Sequence, residues 1–239
     1  MVAESLNTDS QFPVNSSSLP RTKTIMMVHK KKHICCSKSS KSRINPISFP
    51  IDTNKSFTVF HQNIRGLRKK NNKLLGSVLH KLPHVVRLTE HHLKEQEIET
   101  ISIDHYILGA KFCRQNLTHG STGIFIHESL AFTNIDLQEF CMEQDTDTCM
   151  VKINLLTAMI YVICIYGSPT GNFICFIKGI DAILNQLRKP NIEIIVCGDI
   201  NIDYLDENCY KQQQLDTLIA TYNLIISNQE SKRTNFSNR

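Results

Sequence analysis

No CxxC pair, no HExxH spacing, no internal repeat and no apolar run long enough to cross a bilayer occur in this 239-residue chain. Each absence removes a class of protein. The nine cysteines are an odd number, and only Cys35 and Cys36 are adjacent. That pattern argues for reduced thiols in the cytosol or nucleus, against a disulfide framework and against a zinc knuckle. The longest apolar tract, Ala158 to Tyr166, falls far short of the roughly 20 residues that span a membrane. The first ten residues are polar and acidic, unlike a signal peptide, so the chain is not expected to be secreted. His91 and His92 are consecutive and diverge on a helix or a strand; the spacing speaks against a metal site and predicts histidines at a surface or helix start.

Charge is short of balance in one place only. Residues 1–55 hold nine Lys/Arg against three Asp/Glu, whereas the remainder is nearly neutral. The basic part is rich in Ser, Lys and Asn, with Lys30, Lys31 and Lys32 followed by Lys38, Lys41 and Arg43. Such a segment buries too little to offset the entropy of ordering it, so residues 1–55 are expected to be disordered. Nuclear import or contact with nucleic acid is one reading of it, and a leader without a role is the other.

From Phe57 onward the pattern is that of a folded domain. Phe57–Asn63 alternates and ends in polar groups, as a strand that delivers Asn63 to its carboxyl end. Leu74, Leu75, Val78, Leu79 and Leu82 recur at helical spacing up to Pro83. A second strand, His84–Thr89, terminates at Glu90. Tyr106–Phe112 and Ile124–Ile126 read as strands around a loop holding Arg114, which is expected at the surface or against a phosphate. Cys149–Leu155 and Ala158–Tyr166 read as a hairpin, and Phe173, Phe176, Ile177, Ile180, Ile183, Leu184 and Leu187 as a helix with an apolar stripe. Gln214–Tyr222 reads as a helix and Asn223–Ile226 as a short strand. Strands alternating with helices and hairpins predict an α/β (α+β) architecture with mixed sheets.

The stretch Ile192–Asp203 organises the rest. Its β-branched run reads as a strand buried on both faces, and it stops at an acid. Gly198 permits close approach of another backbone or a ligand, and Asp199 and Asn201 point the same way if the extended conformation continues; the alternative is a strand followed by an Asx-rich turn, Asp and Asn being ordinary turn residues. The carboxyl end of such a strand is where open α/β sheets place their ligand crevice.

Taken together, Gln62-Asn63-Ile64-Arg65-Gly66-Leu67-Arg68, Leu88-Thr89-Glu90, Ile165-Tyr166-Gly167-Ser168-Pro169 and Cys197-Gly198-Asp199-Ile200-Asn201-Ile202-Asp203 resemble the ordered motifs of the endonuclease/exonuclease/phosphatase superfamily. The resemblance is closest to the apurinic-like endonuclease domain of non-LTR retrotransposons and covers about residues 56–236. It implies a four-layer sandwich, two mixed β-sheets flanked by helices, with a Mg²⁺ (or Mn²⁺) phosphodiesterase site in the cleft between sheet edges. It also implies the roles. Glu90 and Asn63 would hold the metal, Asp199 would orient or deprotonate water, Asn201 would donate to a phosphate oxygen, and Tyr166 would hydrogen-bond the scissile phosphate. DNA would be the substrate and partner, for a monomer acting in nucleus or cytoplasm.

The departures are as informative. Relatives end with an Asp–His motif on their last strands, whereas this sequence stops at Arg239, so those strands are expected to be missing. Gly167 stands where relatives have Arg, and Ser121-Thr122-Gly123 where they have Gly-Gly. Arg87 falls in a strand expected to be buried, where an unpaired charge is costly. Two readings follow: a DNA-nicking endonuclease-type domain, and a catalytically inactive transposable-element relic with at most weak nucleic-acid binding. A phosphoinositide phosphatase of the same superfamily is a third, and assaying lipid against DNA separates it.

Overall fold

The computed structural model describes residues 57–70, 74, 76, 78, 82–155, 158–189, 192–202 and 209–227, together with the backbone of residues 24–29. Ten strands are described: β1 (Thr24–His29), β2 (Val59–Asn63), β3 (Val85–Thr89), β4 (Tyr106–Phe112), β5 (Thr122–His127), β6 (Phe132–Ile135), β7 (Asp147–Asn154), β8 (Met159–Tyr166), β9 (Ile192–Asp199) and β10 (Leu224–Ser227). Among the described residues three α-helices have defined bounds: α1 (Glu95–Glu99), α2 (Phe173–Gln186) and α3 (Tyr210–Thr221). One sheet has the order β10-β1-β9-β8-β7-β6 and the other β2-β3-β5-β4. Both are mixed, because β8–β9 and β2–β3 are parallel pairs and the other neighbours are antiparallel.

The period-two alternation of the strands sorts their side chains into three apolar layers. Val85, Ala110, Ile124 and Ile126 of the smaller sheet meet Val151, Ile153, Ile160, Val162 and Ile195 of the larger one, which is the face-to-face core. The opposite faces of β7, β8 and β9 turn Met150, Ile163, Ile165, Ile194 and Val196 toward Phe176, Ile180, Ile183 and Leu184 of α2 and Leu215, Leu218 and Ile219 of α3. On the far side of the smaller sheet, Val86, Leu88 and Phe125 pack on Leu67, Leu74, Val78 and Ile98. Helix, sheet, sheet, helix is the four-layer arrangement the resemblance implies. Helix α2 starts cleanly because Asn172 Oδ1 accepts from the Ile174 and Cys175 N–H groups, two donors that lack partners in the first turn. Among the described residues no helix is long and apolar enough to cross a membrane.

Two expectations are corrected. The basic segment is not wholly without order, since Thr24–His29 forms β1, antiparallel to both β9 and β10. Four consecutive apolar residues, Ile25-Met26-Met27-Val28, give that short piece what its polar surroundings lack, and strands β9 and β10 offer it two edges at once. The rest of residues 1–55, and the tail from Ser231, lie outside the described residues. The helix before Pro83 is present at Leu74, Gly76 and Val78, but Leu82 is 46% exposed with φ +41°, so it closes the helix rather than extending its buried face. Leu75 and Leu79 lie outside the described side chains. Finally, β6 and α1 have no counterpart in the sequence reading.

Candidate functional site

Three strand ends meet across the two sheets. Asn63 closes β2, Glu90 follows β3, and Asp199 closes β9. The Asn63 amide nitrogen donates to Glu90 Oε1 at 2.7 Å and to Asp199 Oδ2. That orientation is dictated by its neighbours: the flipped amide would set an oxygen against two carboxylates. Asn63 Oδ1 is consequently left buried with no partner among the described residues. Asp199 is 2% exposed, and burial pushes its carboxyl above the usual range, with the nearby Glu90 charge acting in the same sense. The Asn63 amide, the Asn201 N–H and Arg65 oppose that shift. Arg65 Nε and His92 Nε2 lie 3.8 and 3.6 Å from Glu90 Oε2.

The backbone turns hard here. Arg65, Glu90, His92 and Asn201 all have φ between +46° and +57°, a region that costs non-glycine residues free energy and clusters at functional sites. Backbone bonds hold it: Gly66 N–H to Glu90 O at 2.8 Å, Glu90 N–H to Ser121 O at 2.9 Å, and Gly167 N–H to Asp199 O at 3.0 Å. Asn201 therefore turns the chain rather than continuing the strand with Asp199. Its side chain instead donates to Gly167 O at 2.8 Å, and its N–H to Asp199 Oδ1 at 3.3 Å, tying the end of β9 to the end of β8. Tyr166 pairs in register with Asp199 on one side and Asp147 on the other. It is 5% exposed rather than a solvent-facing strand end, and burial, then the Glu90 and Asp199 charges, raise its phenol above the ordinary value.

No family model matches the chain, and no curated protein matches it. Solved structures do. The endonuclease domain of TRAS1, a telomere-specific non-LTR retrotransposon, superposes with a TM-score of 0.57 at 13% identity, over 73% of this chain and 74% of that one. The AP endonuclease LMAP from Leishmania major superposes with a TM-score of 0.51 at 12% identity, over 75% of this chain and 72% of that one. The chain has the endonuclease/exonuclease/phosphatase fold. Within this fold the two sheets meet so that β2, β3, β8 and β9 finish at one rim, which is why residues up to 136 positions apart share hydrogen bonds.

Other residues at or beneath the rim of this endonuclease/exonuclease/phosphatase fold depart from expectation. Arg114 is not at the surface. It is 4% exposed and its Nε donates to Asp147 Oδ2 at 2.7 Å. Burial pushes the Asp147 carboxyl up to about 6, while the Ser121 N–H and Arg114 hold it down. Nothing local in the sequence pairs these two residues, which are 33 positions apart. His91 is fully buried, contrary to the expected surface histidine, because its ring fills the space beside Gly123 on β5. Arg87 is buried, as feared from the sequence. It is 1% exposed, its Nε and Nη1 have no partner among the described residues, and its charge bears on His61 and the Cys197 thiol between the sheets. Replacing a buried, under-satisfied cation by an apolar chain of similar length removes a desolvation cost. Arg87→Met is expected to stabilise the chain by about 1–3 kcal/mol, read as a higher urea midpoint; a lower midpoint would show that the guanidinium is satisfied after all.

Proposed function

We propose that the chain is a divalent-metal-dependent phosphodiesterase of the DNA endonuclease type. The observation that carries this reading is the single amide of Asn63 bridging Glu90 and Asp199, which gathers two carboxylates and an orphaned amide oxygen at one rim. Those donors suit a hard cation: magnesium is held by one or two carboxylates with oxygen ligands and water. Glu90 and Asn63 Oδ1 would hold it, and when bound it would supply Lewis-acid polarisation of the phosphate. Asp199, whose carboxyl burial pushes above the usual range, orients the attacking water and takes its proton. The Tyr166 phenol donates to a phosphate oxygen, and Asn201, with one amide proton beyond the one given to Gly167, donates to another. TRAS1 and LMAP are named as endonucleases, which supports DNA over lipid as the substrate class.

A second reading is an inactive chain that keeps the fold. Two observations favour it: Gly167 removes the cation that the resemblance implies after the tyrosine, and Asn201 is partly committed to Gly167 O. One experiment separates them. The purified chain should nick supercoiled plasmid with Mg²⁺ or Mn²⁺ and stop when the metal is chelated, and Glu90→Ala and Asp199→Ala should reduce nicking to background. Wild type and both variants behaving alike establishes the inactive chain.

A further inference from the structure

The loop between β4 and β5 carries an arrangement that the roles above do not use. Asp147 opens β7 and is 0% exposed; it accepts from Arg114 Nε at 2.7 Å and from the Ser121 N–H at 2.8 Å. The Arg114 N–H in turn donates to Ser121 Oγ at 3.2 Å. The guanidinium carbon lies 5.6 Å from the centre of the Tyr166 ring, the separation of a cation packed on an aromatic face. Arg114 Nη2 is buried with no partner among the described residues. Gly120, at φ +101°, makes the cradle: a methyl group there would stand 2.4 Å from Arg114 Cζ and 2.5 Å from Asp147 Oδ2.

A buried ion pair contributes little net stability against its desolvation, so a pair that leaves both N–H groups of Arg114 Nη2 unused is a poor stabiliser. What the pair does achieve is orientation. Asp147 and Tyr166 are register partners on β7 and β8, Asp147 fixes the guanidinium, and the guanidinium covers the ring whose hydroxyl end shares the rim with Glu90 and Asp199.

We infer that Arg114, anchored by Asp147, is a positioning residue that holds the Tyr166 phenol at the rim shared by Glu90 and Asp199. The inference rests on the proposed function for its consequence, and its geometry stands apart from it. Lysine keeps the charge but not the planar fork or the flat face over the ring, so Arg114→Lys separates positioning from charge.

The test uses the full chain with ring-¹³C tyrosine, the Tyr166 resonance being assigned by its loss in Tyr166→Phe. In Arg114→Lys and in the paired Arg114→Met/Asp147→Leu variant, which leaves no unpaired charge, that resonance is expected to move toward the position of free tyrosine while the other tyrosines hold. Where the chain nicks DNA, Arg114→Lys should lower kcat by roughly 10-fold to 10²-fold with KM unchanged, and adding it to Tyr166→Phe should cost little more. A paired variant that folds with the Tyr166 resonance in place overturns the inference, and so does a paired variant that fails to fold, since the pair is then structural. A chain that never nicks but whose Tyr166 resonance responds overturns the proposed function and leaves the positioning intact.

Discussion

Gly198→Ala should prevent the chain from accumulating as a folded protein. Gly198 pairs with Ile165 in the parallel β8–β9 ladder, and a methyl group built on it would lie 1.8 Å from the Ile165 carbonyl oxygen, 2.7 Å from its carbonyl carbon and 2.6 Å from its Cγ1. Two of those atoms are backbone, so no rotamer change relieves the overlap. Strand β8 cannot retreat without breaking its ladder to β7, nor β9 without leaving β1. The cost is expected to exceed about 4 kcal/mol, a large part of the 5–15 kcal/mol that typically holds a protein together. Soluble yield and the urea midpoint report it, and a variant that melts with wild type would mean that the two backbones do not approach so closely. The same glycine precedes Asp199, so the closeness of β8 and β9 also brings Tyr166 beside the acid.

Acid should destabilise the chain from about pH 6.5 downward, before its exposed carboxylates are protonated. His91 Nδ1 accepts from the Leu93 N–H at 3.1 Å, while Nε2 lies 3.3 Å from the Thr122 carbonyl, to which it donates. One neutral tautomer satisfies both nitrogens. A second proton would face the Leu93 N–H in a fully buried site, and burial accordingly pushes the ring down to about 4. The folded value is below the unfolded value of about 6.5, so the unfolded chain binds more protons between the two. Stability is therefore fully present above pH 6.5 and is lost as pH falls toward 4, by about 3 kcal/mol from this residue. His61, whose Nδ1 is buried without a partner among the described residues beside the Arg87 charge, is pushed down to about 3 and adds in the same direction. Urea midpoints at several values from pH 7.5 to 4.5 should fall steeply in wild type and less steeply in His91→Asn. Equal slopes for the two would sink the assignment.

The sequence made legible what depends on local periodicity. The apolar stripe of α2, the alternation of β2, β7 and β8, and the polar residue at the end of each motif strand can all be read along a few neighbouring positions, and their order implied the fold and the meeting of Asn63, Glu90 and Asp199. Long-range chemistry was not legible. Arg114 looks like a solvated arginine until Asp147 is brought against it by the sheet. Two adjacent histidines look like surface residues until the chain folds one of them under Gly123. The left-handed turn at Asn201 is marked only by its residue type, Asn being an ordinary turn residue, in a run that otherwise alternates. Helix α1 has only five residues and buries one of them, Ile98, too few for a stripe, and the four-residue β6 is short for the same reason.

The placement of β1 has a consequence for how the molecule comes to be made. Residue 24 must find partners near residues 199 and 227, which leave the ribosome about 200 residues later, or roughly 10–40 s at ordinary rates of synthesis. Through that interval the nascent strand waits without its neighbours. Closing so long a loop is slow chiefly because its ends must meet before any contact rewards them, which makes insertion of the first strand a natural final step in maturation.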